Sequence, residues 1–294
     1  MKLGYFGINM GAFGTPEACV KVARACEAAG YESLWTGEHV VVIDPQQPPS
    51  PLAPLTPQLD QGIALAWIAA QTERIRLGTG IIILPQRNPL ILSKELATLD
   101  HVSNGRLMVG FGVGYVQGEF DALGIPFEER GPRTTEHIEV LRAIWTQDQP
   151  RFEGEFTQFS GIQQRPQPLQ DPHPPIYVGG MSRPALRRAI GHGDAYYGFF
   201  QSVEATAGLI ETIREESKST QRPASLGKLP LTITPPAGLI DRDTARRYED
   251  LGVERLVVFA DFTAMAGPAL DPNGPEIDAV VAHIEKQANE LGLG

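Results

Sequence analysis

The sequence predicts an α/β fold, a (β/α)8 TIM barrel with loop insertions. Eight short, apolar, β-rich runs alternate with longer amphipathic ones along the chain, and strict alternation of this kind builds a parallel sheet wrapped by helices. The β-rich runs are apolar throughout, as parallel strands covered on both faces require. The length of 294 residues suits one barrel, a fold that runs to about 250 residues or more. A doubly wound sheet is compatible with the alternation but does not call for eight units. We therefore read residues 1–294 as a single barrel domain, with insertions at about 40–57, 113–130 and 151–175.

The expected strands are 2–8, 32–37, 75–83 and 106–112, then 175–179, 194–199, 229–234 and 255–260. Thr15-Pro16 and Thr56-Pro57 each put a capping residue before a proline suited to the first helical turn. Helical apolar spacing follows in Cys19, Ala23, Cys26 and in Ile138, Leu141, Ile144, Trp145. Further helices are expected at about 88–103, 182–192, 202–218, 241–251 and 274–291. Residues 45–57 hold six prolines and make a stiff loop after strand 2, while 113–130 make a long loop after strand 4. Both lie at the C-terminal face of the strands, where barrel loops build active sites. The third insertion begins with the hairpin-like FEGEFTQFSG, follows helix 4 on the opposite face and reads as structural.

A composition of 42% hydrophobic and 20% charged residues fills a large core and excludes a disordered or fibrous chain. No apolar run reaches the roughly 18 residues of a spanning helix, and MKLGYFGINM contains no signal region, so a soluble cytoplasmic protein is expected. The net charge of −10 argues against a broad nucleic-acid surface but not against a small anionic ligand. Cys19 and Cys26 fall on one helix face, two turns apart, too far for an easy disulfide and suited to core packing.

Barrel chemistry is carried just past each strand. There the sequence offers Asn9, Glu38-His39, Leu84-Pro85-Gln86, Gly114-Tyr115, Gly179-Gly180-Met181-Ser182, Phe199-Phe200, Thr234-Pro235 and Asp261. The six lysines fall at strand starts or on helices, which argues against a Schiff-base aldolase. Only Glu38, His39 and Asp261 could contribute to a metal, and neighbours on a strand end point apart, so no metal is expected. What remains is an apolar mouth with glycine turns, one imidazole and few acids, which suits an organic cofactor oriented by the protein. The Gly179–Ser182 turn opens a helix whose free N–H groups, with the Ser182 hydroxyl and Arg183, can hold a phosphate, although Gly-Gly before a helix also serves steric needs alone. His39 reads either as a hydrogen-bonded structural residue or as a proton carrier near neutral pH. Trp35, Phe199 and Phe200 read as pocket lining or as core.

Several of these segments carry a resemblance. GYESLWTGEHV (30–40), the stretch from ERIRLGTGIIILPQRNP to NGRLMVGFGVGY (73–115), FDALGIPFEERGPRTTEHIEVLRAIW (120–145) and PHPPIYVGGMSRPALRRAIGHGDAYY (172–197) resemble the luciferase-like monooxygenase superfamily. They are similar in particular to its F420-dependent oxidoreductase branch. LGTG, the D-x-x-S-x-G-R at 100–106 and the following G-x-G-x-G are the specific part, and the last ninety residues match only in general pattern.

The resemblance implies a cofactor at the C-terminal mouth and hydride transfer between F420 and an unidentified organic substrate. Glu38 and His39 take the positions of an acid and a histidine near the cofactor ring. Gly80-Ile81 takes the place of a non-prolyl cis peptide backing that ring, with an ordinary bulge as the alternative. Gly112-Val113-Gly114 matches the turn beside the cofactor, and Gly179, Gly180, Met181, Ser182 and Arg183 match the phosphate-binding turn. Arg106, at the closed end, reads as structural.

Two departures from the family pattern matter. Tyr115 replaces the catalytic glutamate of the sugar-phosphate-oxidising F420 members, and Val113 replaces an arginine that FMN luciferases often carry for the flavin phosphate. The catalytic candidates are His39 and then Tyr115. An FMN-dependent monooxygenase fed by a separate reductase is the first alternative, and a non-catalytic flavin- or deazaflavin-binding barrel the second. A small-molecule substrate and a homodimer are the expected partners.

Overall fold

The computed structural model describes residues 1–259, 261 and 267–292, and in it parallel strands close into a ring. The barrel strands are β1 (Lys2–Phe6), β2 (Ser33–Thr36), β3 (Arg76–Thr79) continued by β4 (Ile82–Ile83), and β5 (Leu107–Gly112). A hairpin of β6 (Phe152–Glu153) and β7 (Gln158–Phe159) stands outside the ring. The ring resumes with β8 (Ile176–Gly179), β9 (Ala195–Gly198), β10 (Leu231–Ile233) and β11 (Val253–Val258). The order is β3-β2-β1-β11-β10-β9-β8-β5-β4, and the β3–β5 pairing closes it. With β3 and β4 counted as one interrupted strand, this is the expected eight-stranded TIM barrel. The last residue of the expected strand 255–260, Ala260, lies outside the described residues.

Successive residues of a strand point to opposite faces, and this period sorts the apolar side chains into two cores. Leu3, Tyr5, Leu34, Leu77, Val109, Val178, Ile233 and Leu256 point outward to the helices. Phe6, Trp35, Met108, Tyr177, Tyr197 and Val257 point inward. Both faces are buried, so the strands read as continuous apolar runs. Trp35 fits inside because its neighbours are small: a Cβ on Gly78 would lie 2.6 Å from the indole, and one on Gly4 2.9 Å from its Nε1. The indole stacks on Tyr197 (5.1 Å, 18°) and meets Tyr177 edge-on (5.2 Å, 83°). Arg255 pairs with Glu32 at 2.7 and 2.8 Å and donates to Tyr177 Oη at 2.8 Å. The interior is therefore a packed core and not a pore.

The outer helices are α1 (Pro16–Ala28), α2 (Gln61–Ala69), α3 (Pro89–Val102), α4 (Gln117–Leu123), α5 (Arg130–Thr146), α6 (Arg183–His192), α7 (Val203–Glu216), α8 (Arg242–Asp250) and α9 (Pro275–Leu291). Thr15 caps α1 by accepting from Ala18 N at 3.3 Å. Thr56-Pro57 starts no helix. The Pro57 carbonyl accepts from Gly11 N (2.8 Å) and Leu59 N donates to Asn9 O (2.9 Å), which holds 57–59 against the β1–α1 connection. Asp60 caps α2 instead, accepting from Ile63 N at 3.0 Å.

Residues 113–130, expected as loop, contain α4, which stops at Gly124 with φ 68°. Cys19 and Cys26 are free and buried on α1, and burial pushes the Cys19 thiol up to about 12, so both act as packing groups. Among the described residues no helix is long and apolar enough to cross a membrane.

The 100–106 motif acts at the closed end. Asp100, fully buried, accepts from Leu169 N (2.8 Å), Gln170 N (2.9 Å) and Gln170 Nε2 (2.7 Å). Arg106 donates to the carbonyls of Ser103 (2.7 Å), Ala69 (2.8 Å) and Ile75 (3.0 Å). The motif and the third insertion thus brace the end opposite the mouth.

Candidate active site at the barrel mouth

At the end of β2 the chain turns so that Glu38 and His39 diverge. Glu38 is committed to the fold: its carboxylate accepts from Ile83 N at 2.5 Å and pairs with Arg87, which also reaches Asp60 at 3.4 Å. Its side chain is 4% exposed, and its bond to Ile83 N braces β4. His39 turns the other way. Its backbone N–H donates to Gln58 Oε1 (3.2 Å), and Nδ1 donates to Glu119 Oε1 at 2.5 Å.

Glu119, from α4, is 1% exposed and also accepts from Gln86 Nε2 at 3.2 Å. A buried carboxylate on Nδ1 places the proton there and fixes the ring orientation. His39 Nε2, which has no hydrogen-bond partner among the described residues, is then an acceptor in the neutral ring and a donor in the charged one. Tyr115 lies edge-on to the imidazole (6.2 Å, 89°). Partial burial and then the Glu119 charge push its phenol above the usual value, so it stays protonated at neutral pH and offers a hydrogen bond.

Sequence reasoning missed Glu119 as the partner of His39, and Gln86 as the partner of Glu119. The available signal was the helical stretch QGEFDALG, with its glycine stop, inside a segment read as loop. Near it the second amide atoms of Gln58, Gln61 and Gln86 are buried without a protein partner among the described residues.

The peptide bond between Gly80 and Ile81 is cis, and it separates β3 from β4. Ile81 leans across the neighbouring strands. A Cβ on Gly110 would lie 2.1 Å from the Thr79 carbonyl, one on Gly112 would lie 2.5 Å from Ile81 Cδ1, and one on Gly179 would lie 3.2 Å from Ile81 Cγ2. Gly112 and Gly179 therefore make room for Ile81 first. Gly114, at φ 75°, turns the chain where a Cβ would meet Ile83 and Phe120. Val113, between them, is half-buried.

The Gly179–Ser182 turn leads into α6 as expected. Gly180 has φ 115°, and a Cβ there would lie 2.8 Å from Ala185 Cβ. Ser182 caps the helix by accepting from Ala185 N at 3.4 Å, which leaves its own hydroxyl proton for a ligand. Arg183 departs from its expected place. It pairs with Glu216 (2.5 Å) and Glu215 (2.8 Å) on α7, so any phosphate at this turn meets backbone N–H groups and the Ser182 hydroxyl before it meets Arg183. Met181 is exposed.

Exposed apolar side chains ring the mouth: Val40 and Val41 after β2, Tyr115 after β5, Met181 after β8, Phe200 after β9 and Leu239 after β10. Phe200 holds φ 57°, a region that costs a bulky residue roughly 1–2 kcal/mol. Gln201 Nε2 steadies it through the carbonyls of Phe199 (3.0 Å) and Phe200 (3.2 Å). Trp35, by contrast, is core, fully buried in the barrel. An apolar rim, one imidazole with a free nitrogen and a capped helix start fit a planar aromatic cofactor that carries a phosphate. Among the described residues no group of three or more His, Cys, Asp or Glu is arranged to hold a metal ion.

Comparison with known proteins adds the family. Residues 5–287 match the model of the luciferase-like monooxygenases. The chain belongs to this family. It is 34% identical over 227 residues to an FMNH2-dependent dimethylsulfone monooxygenase of Pseudomonas putida, covering 76% of this chain and 58% of that one. An uncharacterized protein of Mycobacterium tuberculosis is 35% identical over 173 residues, 56% of this chain and 60% of that one. The chain thus spans about 60% of the length of these curated relatives.

Among solved structures, an F420-dependent secondary alcohol dehydrogenase superposes with a TM-score of 0.78 at 15% identity, covering 99% of this chain and 98% of that one. A Streptomyces bottropensis monooxygenase gives 0.74 at 19%, with the same coverage. These likenesses establish the fold.

Proposed function

We propose that this chain is an oxidoreductase that holds an isoalloxazine-type cofactor in the barrel mouth and manages protons there with the His39–Glu119 pair. The observation that carries this reading is the imidazole: Nδ1 is fixed by a buried carboxylate, and Nε2 is free beside an apolar rim. When bound, such a cofactor supplies two electrons as a hydride or, in reduced-flavin enzymes, activates dioxygen for oxygen-atom transfer.

The protein's own residues do the rest. The exposed rim side chains cover the ring's surroundings and exclude water from the transfer. The Gly179–Ser182 turn anchors a phosphate through backbone N–H groups and the Ser182 hydroxyl. His39 Nε2 accepts or returns the proton that balances the reaction, Glu119 stabilises the charged imidazole that results, and Tyr115 donates a hydrogen bond at the same edge.

Reduced FMN is the first reading for the cofactor, with oxygen transfer to a small organic substrate. It is supported by the Pseudomonas putida relative, which shares sequence over three quarters of this chain. F420-dependent hydride transfer is the second reading, supported by Val113 in place of a phosphate-binding arginine.

Anaerobic titration of the protein with reduced FMN and with F420 in parallel, followed by tryptophan fluorescence, tests both. Tighter binding of reduced FMN, followed by oxygen consumption, is the expected result. F420 binding alone reverses the order, and binding of neither refutes the site. Cofactor binding without turnover, unchanged in His39→Asn, would reduce the protein to a cofactor-binding barrel.

A further inference from the structure

We propose that a cleft on the outer face of α6, away from the barrel mouth, binds a phosphate group carried by inorganic phosphate or by a phosphomonoester. The cleft is open to solvent and measures about 710 Å3 between α6, Thr135 on α5 and the 219–223 segment that follows α7, a volume within the range of small-molecule sites.

Its distinguishing group is Arg188. This side chain lines the cleft with its residue only 8% exposed. Nε donates to Thr135 Oγ1 (2.9 Å) and Nη2 to the Gly131 carbonyl (2.9 Å). Arginine has five N–H donors, and the others have no protein partner among the described residues. No carboxylate among the described residues pairs with it, and burial alone lowers its guanidinium to about 10. A buried cation is costly unless an anion accompanies it, and among the described residues the cleft's other arginine has its counter-ion while burial favours the neutral form of its one histidine. Arg187 is bound by Glu216 at 2.7 Å, and His192 Nδ1 lies 3.3 Å from Glu139. Glu216 is in turn shared with Arg183, so neither acid is available to Arg188.

The opposite wall supplies further donors. Thr220 and Gln221 line the cleft, and their side chains make no hydrogen bond among the described residues. A guanidinium, a hydroxyl and an amide among the lining residues suit an anion with several acceptor oxygens. The volume beyond one phosphate leaves room for an attached organic group.

Calorimetric titration of the intact protein with inorganic phosphate and with glycerol phosphate, at matched ionic strength, tests this. Saturable binding of at least one is expected, weakened at least tenfold by Arg188→Gln. Gln221→Glu provides a check independent of folding, because it adds a negative charge to an exposed side chain that bonds to nothing; it should weaken binding at least tenfold as well. Ile91→Glu adds the same charge at an exposed residue on α3, outside both the cleft and the mouth, and should leave the binding unchanged. Preference for glycerol phosphate assigns the ester, and preference for phosphate the free ion. The proposal is overturned by absence of saturable binding, by binding that survives Gln221→Glu, or by binding that Ile91→Glu weakens equally.

Discussion

Removing the Glu119 carboxylate tests whether His39 is held for proton transfer or only packed. Glu119 is 1% exposed and accepts from His39 Nδ1 at 2.5 Å and Gln86 Nε2 at 3.2 Å. Glu119→Gln keeps the shape and turns a charge-assisted hydrogen bond into a neutral one, while Glu119→Ala removes it. A hydrogen bond to a charged group contributes about 1.5–3 kcal/mol, or about 10- to 160-fold. The proton-dependent step should slow by that factor in Glu119→Ala, and by about 5- to 10-fold in Glu119→Gln, the gap between charged and neutral bonds.

The assay is stopped-flow absorbance of bound reduced FMN reoxidising in air-saturated buffer across pH, on wild type, both variants, His39→Asn and the double variant. Residues acting as a unit are not additive, so the double variant should be no slower than His39→Asn. A readout independent of turnover is the downfield proton resonance of His39 Nδ1–H, which should vanish in Glu119→Ala. Full additivity, or a pH profile that Glu119→Ala leaves in place, would refute the reasoning. Because Glu119→Ala also strands the buried Gln86 amide, it should cost about 1–3 kcal/mol of stability, separable by urea denaturation.

Two further predictions concern the frame that holds the site. Gly110→Ala would set a methyl 2.1 Å from the Thr79 carbonyl, and no rotamer relieves a clash with backbone; a loss of about 3 kcal/mol or more in urea denaturation is expected, and a change below 1 kcal/mol would contradict the packing described at Ile81. Arg255→Met should cost about 3–5 kcal/mol by leaving Glu32 and Tyr177 Oη without their buried partner. Burial raises the Glu32 carboxyl, but the hydrogen bonds and charge of Arg255 outweigh it and the net shift is downward. The stability contributed by Glu32 is therefore complete above its unfolded value of about 4.3 and is lost as pH falls through the depressed folded value. Arg255→Met should flatten that part of the acid-unfolding profile, and a profile parallel to wild type would exclude the linkage.

Local signals in the chain were enough for the barrel. Strand and helix order follow from apolar periodicity, and Thr15-Pro16 and Ser182 cap helices because a hydroxyl three residues before an N–H needs nothing distant to act. The structural role of Arg106 was legible from its place at a strand start. The Gly80–Ile81 position was legible only through the family pattern, since a glycine in a β-run is equally consistent with a bulge.

Elsewhere, distance in sequence hid the outcome. Thr56-Pro57 and Asp60 compete to start one helix, and the hydrogen bonds of 57–59 with residues 9–11 decide it. Arg183 looks like a phosphate ligand until α7 brings Glu215 and Glu216 to it. Glu38 looks like a cofactor contact until Arg87, forty-nine residues on, takes its carboxylate. His39 and Glu119 are eighty residues apart, and nothing local to either marks the other. Periodicity and capping depend on neighbours within a few residues, and those the sequence determined by itself. Which acid meets which base depends on how the ring of strands closes, and only the tertiary structure decided that.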